Sequence, residues 1–205
     1  MIDKFIGQTL ANKYRLDSIL REGDLGNTYR GTHTAMEKPV TVKVLAPALA
    51  VDENIVRRFS SEARTASSIS HTNILNVTDF GSDKNGAVYI VYEGADGATL
   101  KEEIKTVGPF TPERAVSIAR QIAAALSAAQ AGGTIHGSLS SANILLAQSP
   151  NYAETVKVLD FGAVKLSNEV LFDNENIDQN AEYLSPEQCT DAGETDARSD
   201  IYSLG

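Results

Sequence analysis

The stretch His136-Gly137-Ser138-Leu139-Ser140-Ser141-Ala142-Asn143 carries an imidazole, several hydroxyls and an amide, and Val158-Leu159-Asp160-Phe161-Gly162 downstream adds a carboxylate. Between Arg120 and Glu154 there is no Asp, Glu, Lys or Arg. A site that needs an acid, a base or a phosphate clamp finds only His136 in that stretch. No carboxylate lies near His136 in sequence to orient it, so it reads as a packing and backbone-bonding histidine rather than a general base. Serine does not act as a base at neutral pH, although the Ser138 hydroxyl could orient a substrate. His33, His71 and Cys189 have no metal-ligand spacing. Ser67, Ser68, Ser140 and Ser141 could accept a phosphate, but serines in loops and at helix ends are in general simply solvated.

The rest of the chain bounds what such a stretch can belong to. With 205 residues, 42% hydrophobic and 22% charged, it has the composition of a globular protein with a buried core. The net charge of -9, with no dense Lys/Arg run, argues against nucleic acid or an anionic membrane as partner, because both need a basic footprint. The single cysteine, Cys189, excludes an internal disulfide framework and fits a reducing compartment. No charged start with an apolar core follows Met1, and Ile122 to Ala131 is too short and too mild to span a bilayer. The expectation is a cytoplasmic chain with no membrane segment.

The elements that must position these groups follow from periodicity and breakers. From Tyr14 to Val44, runs rich in Leu, Ile, Thr and Val alternate with Gly23, Gly26, Gly31 and Pro39, which predicts antiparallel strands joined by turns. Ile55, Phe59, Ala63 and Ala66 fall at helical spacing, with Glu62 in the same region. Ile74 to Phe80 and Val88 to Tyr92 read as strands around a turn at Ser82 to Gly86. Thr111-Pro112-Glu113 starts a long helix that ends at Gly132-Gly133. Thr155 to Leu159 reads as a further strand, and Leu171 to Asn180 as an acidic, amide-rich loop. Strands around one helix followed by a long helix make a two-part α+β plan, with Gly94 to Gly97 as the connection.

Taken in order, these motifs resemble the protein-kinase family, most closely its bacterial Ser/Thr type, over nearly the whole chain. Leu20 to Tyr29 sits where the family has its glycine-rich phosphate loop. Val40-Thr41-Val42-Lys43-Val44 looks like the strand that carries the phosphate-pairing lysine, with Glu62 as its helix partner. Tyr89 to Gly97 resembles the hinge. The resemblance implies a bilobal kinase-like α+β fold: a small antiparallel-sheet N-lobe over 1–93, after a lead-in at 1–12, and a mainly helical, incomplete C-lobe over 94–205. It implies ATP and magnesium as cofactors. Gly23, Gly26, Thr28 and Lys43 would face the nucleotide, Glu93 and Ala95 would hold adenine through their backbone, and Tyr92 would be the gatekeeper. Asn143 and Asp160 would hold the metal. Asp79-Phe80-Gly81 has the letters of the metal motif, but it follows His71-Thr72-Asn73-Ile74-Leu75 and precedes the hinge, so it is expected to be a strand-end turn. Ala181 to Glu187 matches the end of the activation segment, and Asp200 would bond to the catalytic-loop backbone.

The departures from the family pattern share a direction. The catalytic aspartate is replaced by Ser138, the preceding arginine by Gly137, the loop lysine by Ser140 and a bracing threonine by Asn180. The nucleotide and metal positions Lys43, Glu62, Asn143 and Asp160 are kept. A positioned base contributes roughly 100- to 10,000-fold, and an electrostatic donor to the transferring group roughly 100- to 1,000-fold, so even one loss takes turnover far below the ~1 to 100 per second of kinases. The phosphate loop departs too: Arg21 replaces its first glycine and could contact phosphate, while Glu22 and Asp24 bring repulsive charge. The leading expectation is a pseudokinase that binds ATP and magnesium or presents a kinase-like surface to protein partners. The alternatives are an active or weakly active Ser/Thr protein kinase and an interaction module that binds no nucleotide. A chain ending at Gly205 is expected to be a fragment of a longer protein, with apolar C-lobe surface exposed.

Overall fold

The computed structural model describes residues 3–23, 25–148, 154–161, 181–190 and 195–205. Asp24, Gly162, Asn180, the Leu171 to Asn180 loop and the Glu62 side chain lie outside the described residues. The chain divides into two compact units, residues 1–67 with 76–95 and residues 68–75 with 96–205.

The first unit is built on a six-stranded antiparallel sheet. Its order is β1 (Thr9–Leu10), β2 (Tyr14–Arg21), β3 (Gly26–His33), β4 (Lys38–Leu45), β6 (Val88–Glu93) and β5 (Val77–Ser82). Helix α1 spans Glu53–Ser67. Strand alternation sorts the side chains, so that Tyr29, Val42 and Val91 sit in register on three neighbouring strands and are buried together with Leu16, Tyr14 and Tyr89. Helix α1 begins where the Asp52 carboxylate accepts from the Asn54 N–H, and it buries Phe59, Ala63 and Ala66, one stripe at helical spacing. Gly26 is required: its φ is 137°, and a Cβ there would lie 2.0 Å from the Val44 carbonyl oxygen.

Two sequence expectations are corrected here. The strand predicted from Ile74 starts at Val77 instead, because Ile74 and Leu75 are bonded into the second unit. Asp79-Phe80-Gly81 lies within β5 and not at a strand-end turn, since pairing with β6 continues through Ser82↔Val88. The turn follows, closed by the Asp83 N–H on the Ala87 carbonyl and the Gly86 N–H on that of Asp83. The Asp79 carboxylate accepts from the Tyr14 hydroxyl at 2.6 Å. Burial, and then this bond, raise the Tyr14 phenol above its ordinary range.

The lead-in docks through Asp3. Its carboxylate accepts from the Tyr29 hydroxyl at 2.8 Å, from Asn27 Nδ2 at 2.9 Å and from the Phe5 N–H at 2.8 Å. Partial burial opposes ionisation, but these bonds outweigh it and hold the carboxyl below its usual value. A carboxyl depressed in the folded state adds stability above its unfolded pKa of about 3.9, and that stability is lost as pH falls through the folded value. The melting-temperature gap between wild type and Asp3→Asn is therefore expected to narrow between neutral pH and about pH 3. A gap that stays constant across that window would sink the assignment.

The second unit holds a three-stranded antiparallel sheet of β7 (Gly97–Thr99), β8 (Ile144–Gln148) and β9 (Glu154–Val158). Ile74 bridges Val158 in parallel, the Leu75 N–H donates to the Val158 carbonyl, and the Val158 N–H donates to that of Asn73. Helix α2 (Leu100–Val107) has a reciprocal cap in which Thr99 Oγ1 accepts from the Glu102 N–H and the Glu102 carboxylate accepts from the Thr99 N–H. Helix α3 (Pro112–Ala131) starts on Thr111, which accepts from the Arg114 N–H, and buries Ile118, Ile122, Ala125, Leu126 and Ala129. The Arg114 guanidinium bonds Glu154 and Glu103 and lies 4.1 Å over the Phe110 ring, tying α2, α3 and β9 together. Helices α4 (Pro186–Thr190) and α5 (Ala197–Leu204) also belong to the unit. Ile201 and Tyr202 of α5 are 58% and 54% exposed. No helix of the described residues is long and apolar enough to cross a membrane.

Candidate functional site

In the second unit, the loop of residues 136–143 is fastened at nearly every residue. The carboxylate of Asp200, a residue 3% exposed, accepts from the His136 N–H at 2.8 Å and from the Gly137 N–H at 2.6 Å. Gln188 Nε2 donates to the Gly137 carbonyl at 2.6 Å, and its Oε1 is held by the Ser185 N–H. Gly137 takes φ 72°, a left-handed conformation that a residue without Cβ adopts at little cost. The His136 ring is fully buried against Phe161, with Nδ1 accepting from the Ser138 N–H and Nε2 at 2.7 Å from the Leu159 carbonyl. Both ring nitrogens are engaged in holding backbone, so His136 is a packing residue.

Ser138, half-buried, is held on both sides of its α-carbon, by His136 at its N–H and by Asn143 Nδ2 at its carbonyl, 2.8 Å away. That bond uses the nitrogen end of the Asn143 amide and sets its oxygen as the other end. Asp160 follows β9, is 7% exposed and has φ at 61°, a strained conformation for a residue with a Cβ. An amide oxygen and a carboxylate are hard donors that suit magnesium, which takes one or two protein oxygens and completes its shell with phosphate oxygens and water. No cluster of three or more His, Cys, Asp or Glu that could hold a metal occurs among the described residues. The donor set therefore fits a metal shared with a phosphate ligand rather than a closed protein cage.

Ser140 is 2% exposed and its Oγ has no hydrogen-bond partner. The Ser141 hydroxyl bonds that of Tyr183, and Ser199 bonds the Glu187 carboxylate. Gln188 and Tyr183 are site-building residues that no local pattern announced, because their roles are contacts across 40 or more residues of chain.

In the first unit, Thr28 and Lys43 pair across β3 and β4 and are 1% and 5% exposed. Thr28 Oγ1 is buried without a hydrogen-bond partner. Gly23 and Gly26 close the turn between β2 and β3, with the Gly26 N–H on the Gly23 carbonyl. Glu62 lies on α1. Tyr92 is buried in β6, while Glu93 and Ala95 are half-buried where that strand ends. The Glu93 N–H donates to the Asn76 carbonyl. A buried lysine, an orphaned hydroxyl and a glycine turn together fit an anionic ligand bearing several oxygens.

A model of the protein kinase domain matches residues 14–205. The chain is 36% identical over 208 residues to the serine/threonine-protein kinase pkn3 of Myxococcus xanthus, covering 99% of this chain and 38% of that protein. It is 34% identical to the serine/threonine-protein kinase PrkC of Bacillus subtilis, covering 98% of this chain and 30% of that one. It thus spans about a third of the length of these curated relatives. Among solved structures, the PknI kinase domain of Mycobacterium tuberculosis superposes with a TM-score of 0.72 at 27% identity, covering 97% of this chain and 73% of that domain. The order of strands and helices, the held loop around Ser138 and these matches agree, and the chain belongs to the protein kinase family as a bacterial-type kinase domain.

Proposed function

We propose that this domain is a pseudokinase that binds ATP with magnesium, transfers phosphate at most very slowly, and acts in signalling through protein partners. The observation that carries this reading is the contrast at one loop. Its backbone is braced by Asp200, Gln188 and Asn143 as a working site requires, while the position of the base holds the Ser138 hydroxyl. Ser140 removes a second group, a lysine that would stabilise the transferring phosphoryl, and leaves a neutral hydroxyl buried in its place. Asn143 and Asp160 retain the oxygens a magnesium ion needs, and Lys43 retains the cation for the phosphates. Kinases of this family normally use ATP and magnesium, which supports the cofactor assignment.

A second reading, an active or weakly active Ser/Thr protein kinase, draws on the curated relatives, which are kinases by name. It has physical room, because the loose transition state depends mainly on positioning and metal charge. The two separate in one assay. The pseudokinase reading predicts a rise in melting temperature with millimolar ATP and magnesium, together with no autophosphorylation and no transfer to a generic Ser/Thr peptide. Transfer that Lys43→Ala and Asp160→Ala each abolish would favour the active kinase. No thermal shift at millimolar nucleotide would favour an interaction module without a ligand.

A further inference from the structure

The chain between Arg120 and Glu154 contains no lysine or arginine, so the loop around Ser138 brings no cation to a phosphate. A triphosphate carries about four negative charges, and a bound magnesium ion with Lys43 would still leave about one of them without a cation. The strand register supplies a second cation. Ile19 pairs Tyr29, and an unbroken ladder would then set Leu20 opposite Thr28 and Arg21 opposite Asn27. A bulge between Ile19 and Arg21 shifts the pairing by one residue and sets Arg21 opposite Thr28. Because Thr28 pairs Lys43, the three residues occupy one transverse row across β2, β3 and β4. Neighbouring strands are about 4.8 Å apart, which puts the two cation-bearing backbones roughly 10 Å from each other, within reach of one polyphosphate chain.

Between the two cations stands Thr28, 1% exposed, whose Oγ1 has no hydrogen-bond partner. A buried hydroxyl left unpaired costs stability, and a native position that keeps one invites a ligand atom as the missing partner. Glu22, beside Arg21, is exposed, so solvent and salt screen its charge.

We propose that Arg21, Thr28 and Lys43 form a row that reads the phosphate chain of a nucleoside triphosphate, with Arg21 as the second cation and Thr28 Oγ1 donating to a ligand oxygen. This rests on the nucleotide-binding reading above and extends it. Affinity then depends on the number of phosphates, and arginine at the loop's first glycine position is a recognition residue rather than damage to the loop.

The test is calorimetric titration of the purified chain, with magnesium, by ATP, ADP, AMP, adenosine and tripolyphosphate. Wild type is expected to bind in the order ATP, ADP, AMP. Arg21→Gln should weaken ATP about tenfold, the scale of one charge-assisted hydrogen bond, and leave adenosine unchanged, and Arg21→Lys should restore most of the loss. Thr28→Val should melt no lower than wild type without ligand yet bind ATP severalfold more weakly. That split is one a purely structural hydroxyl would not produce. Tripolyphosphate binding with the same Arg21 dependence supports the row with an inorganic chain as ligand, whereas binding of ATP alone makes the nucleotide its source. If wild type binds ATP and adenosine equally, or if Arg21→Gln and Thr28→Val bind ATP as wild type does, the row is overturned and the nucleotide reading survives. If wild type binds none of the five, both fall.

Discussion

Replacing Ser138 with aspartate is expected to raise phosphotransfer from ATP to a generic Ser/Thr peptide about 100- to 10,000-fold over the wild-type chain. The backbone that would carry the new carboxylate is already in place. Asp200 holds the His136 and Gly137 amides, Asn143 holds the Ser138 carbonyl, and His136 Nδ1 holds the Ser138 N–H. A base needs such positioning as much as it needs the right pKa, so the substitution places a carboxylate on a backbone already held for it. Adding Ser140→Lys should raise the rate further, by less than the product of the two effects, because groups acting on one transition state are not additive. The gain should vanish when Lys43→Ala is combined with Ser138→Asp. An S138D chain that binds ATP with magnesium and still transfers no more phosphate than wild type would place the defect elsewhere.

The largest expected effect on stability is at Asp200. The residue is 3% exposed, and its carboxylate accepts from two backbone amides, those of His136 and Gly137, at 2.8 and 2.6 Å. Removing it leaves two buried donors unsatisfied, each costing about 1–3 kcal/mol. Asp200→Ala is therefore expected to lose about 3 kcal/mol or more in urea denaturation, and Asp200→Asn, which keeps one acceptor oxygen, about half of that. A loss under about 0.5 kcal/mol for Asp200→Ala would mean that water or another group satisfies the loop. The two effects are linked, because the brace that Asp200 supplies is what makes the Ser138 substitution informative.

Local chemistry was legible along much of the chain. The long helix begins at Thr111-Pro112 and ends at Gly132-Gly133 because capping and proline geometry act within one turn. Thr99 and Glu102 carry the spacing of a reciprocal cap, a signal for α2 that apolar periodicity alone does not reveal. Ile74 and Leu75 are apolar and β-prone, so sequence joins them to the following strand. Instead the Leu75 N–H donates to the Val158 carbonyl, more than 80 residues away, and Ile74 bridges the same residue while its own N–H turns back to the His71 carbonyl. Gly94 to Gly97 read as a connection, yet Gly97 opens β7 because a strand formed far downstream, β8, pairs with it.

By itself, the sequence determined that the stretch between Arg120 and Glu154 holds no Asp, Glu, Lys or Arg, that Ser138 follows His136 and Gly137 where the family pattern has a carboxylate, and that the motifs run in the order of a kinase domain. These are properties of residue type and order, and folding does not alter them. Only the tertiary structure decided that the loop around Ser138 is held rather than collapsed, through Asp200 and Gln188 at 63 and 51 residues' separation from Gly137. It alone also decided that a bulge in β2 brings Arg21 onto the row of Thr28 and Lys43. The first depends on side chains that reach the loop's backbone only after the chain has folded, and the second on a one-residue shift in register, which no local residue pattern encodes and which changes which side chains share a row.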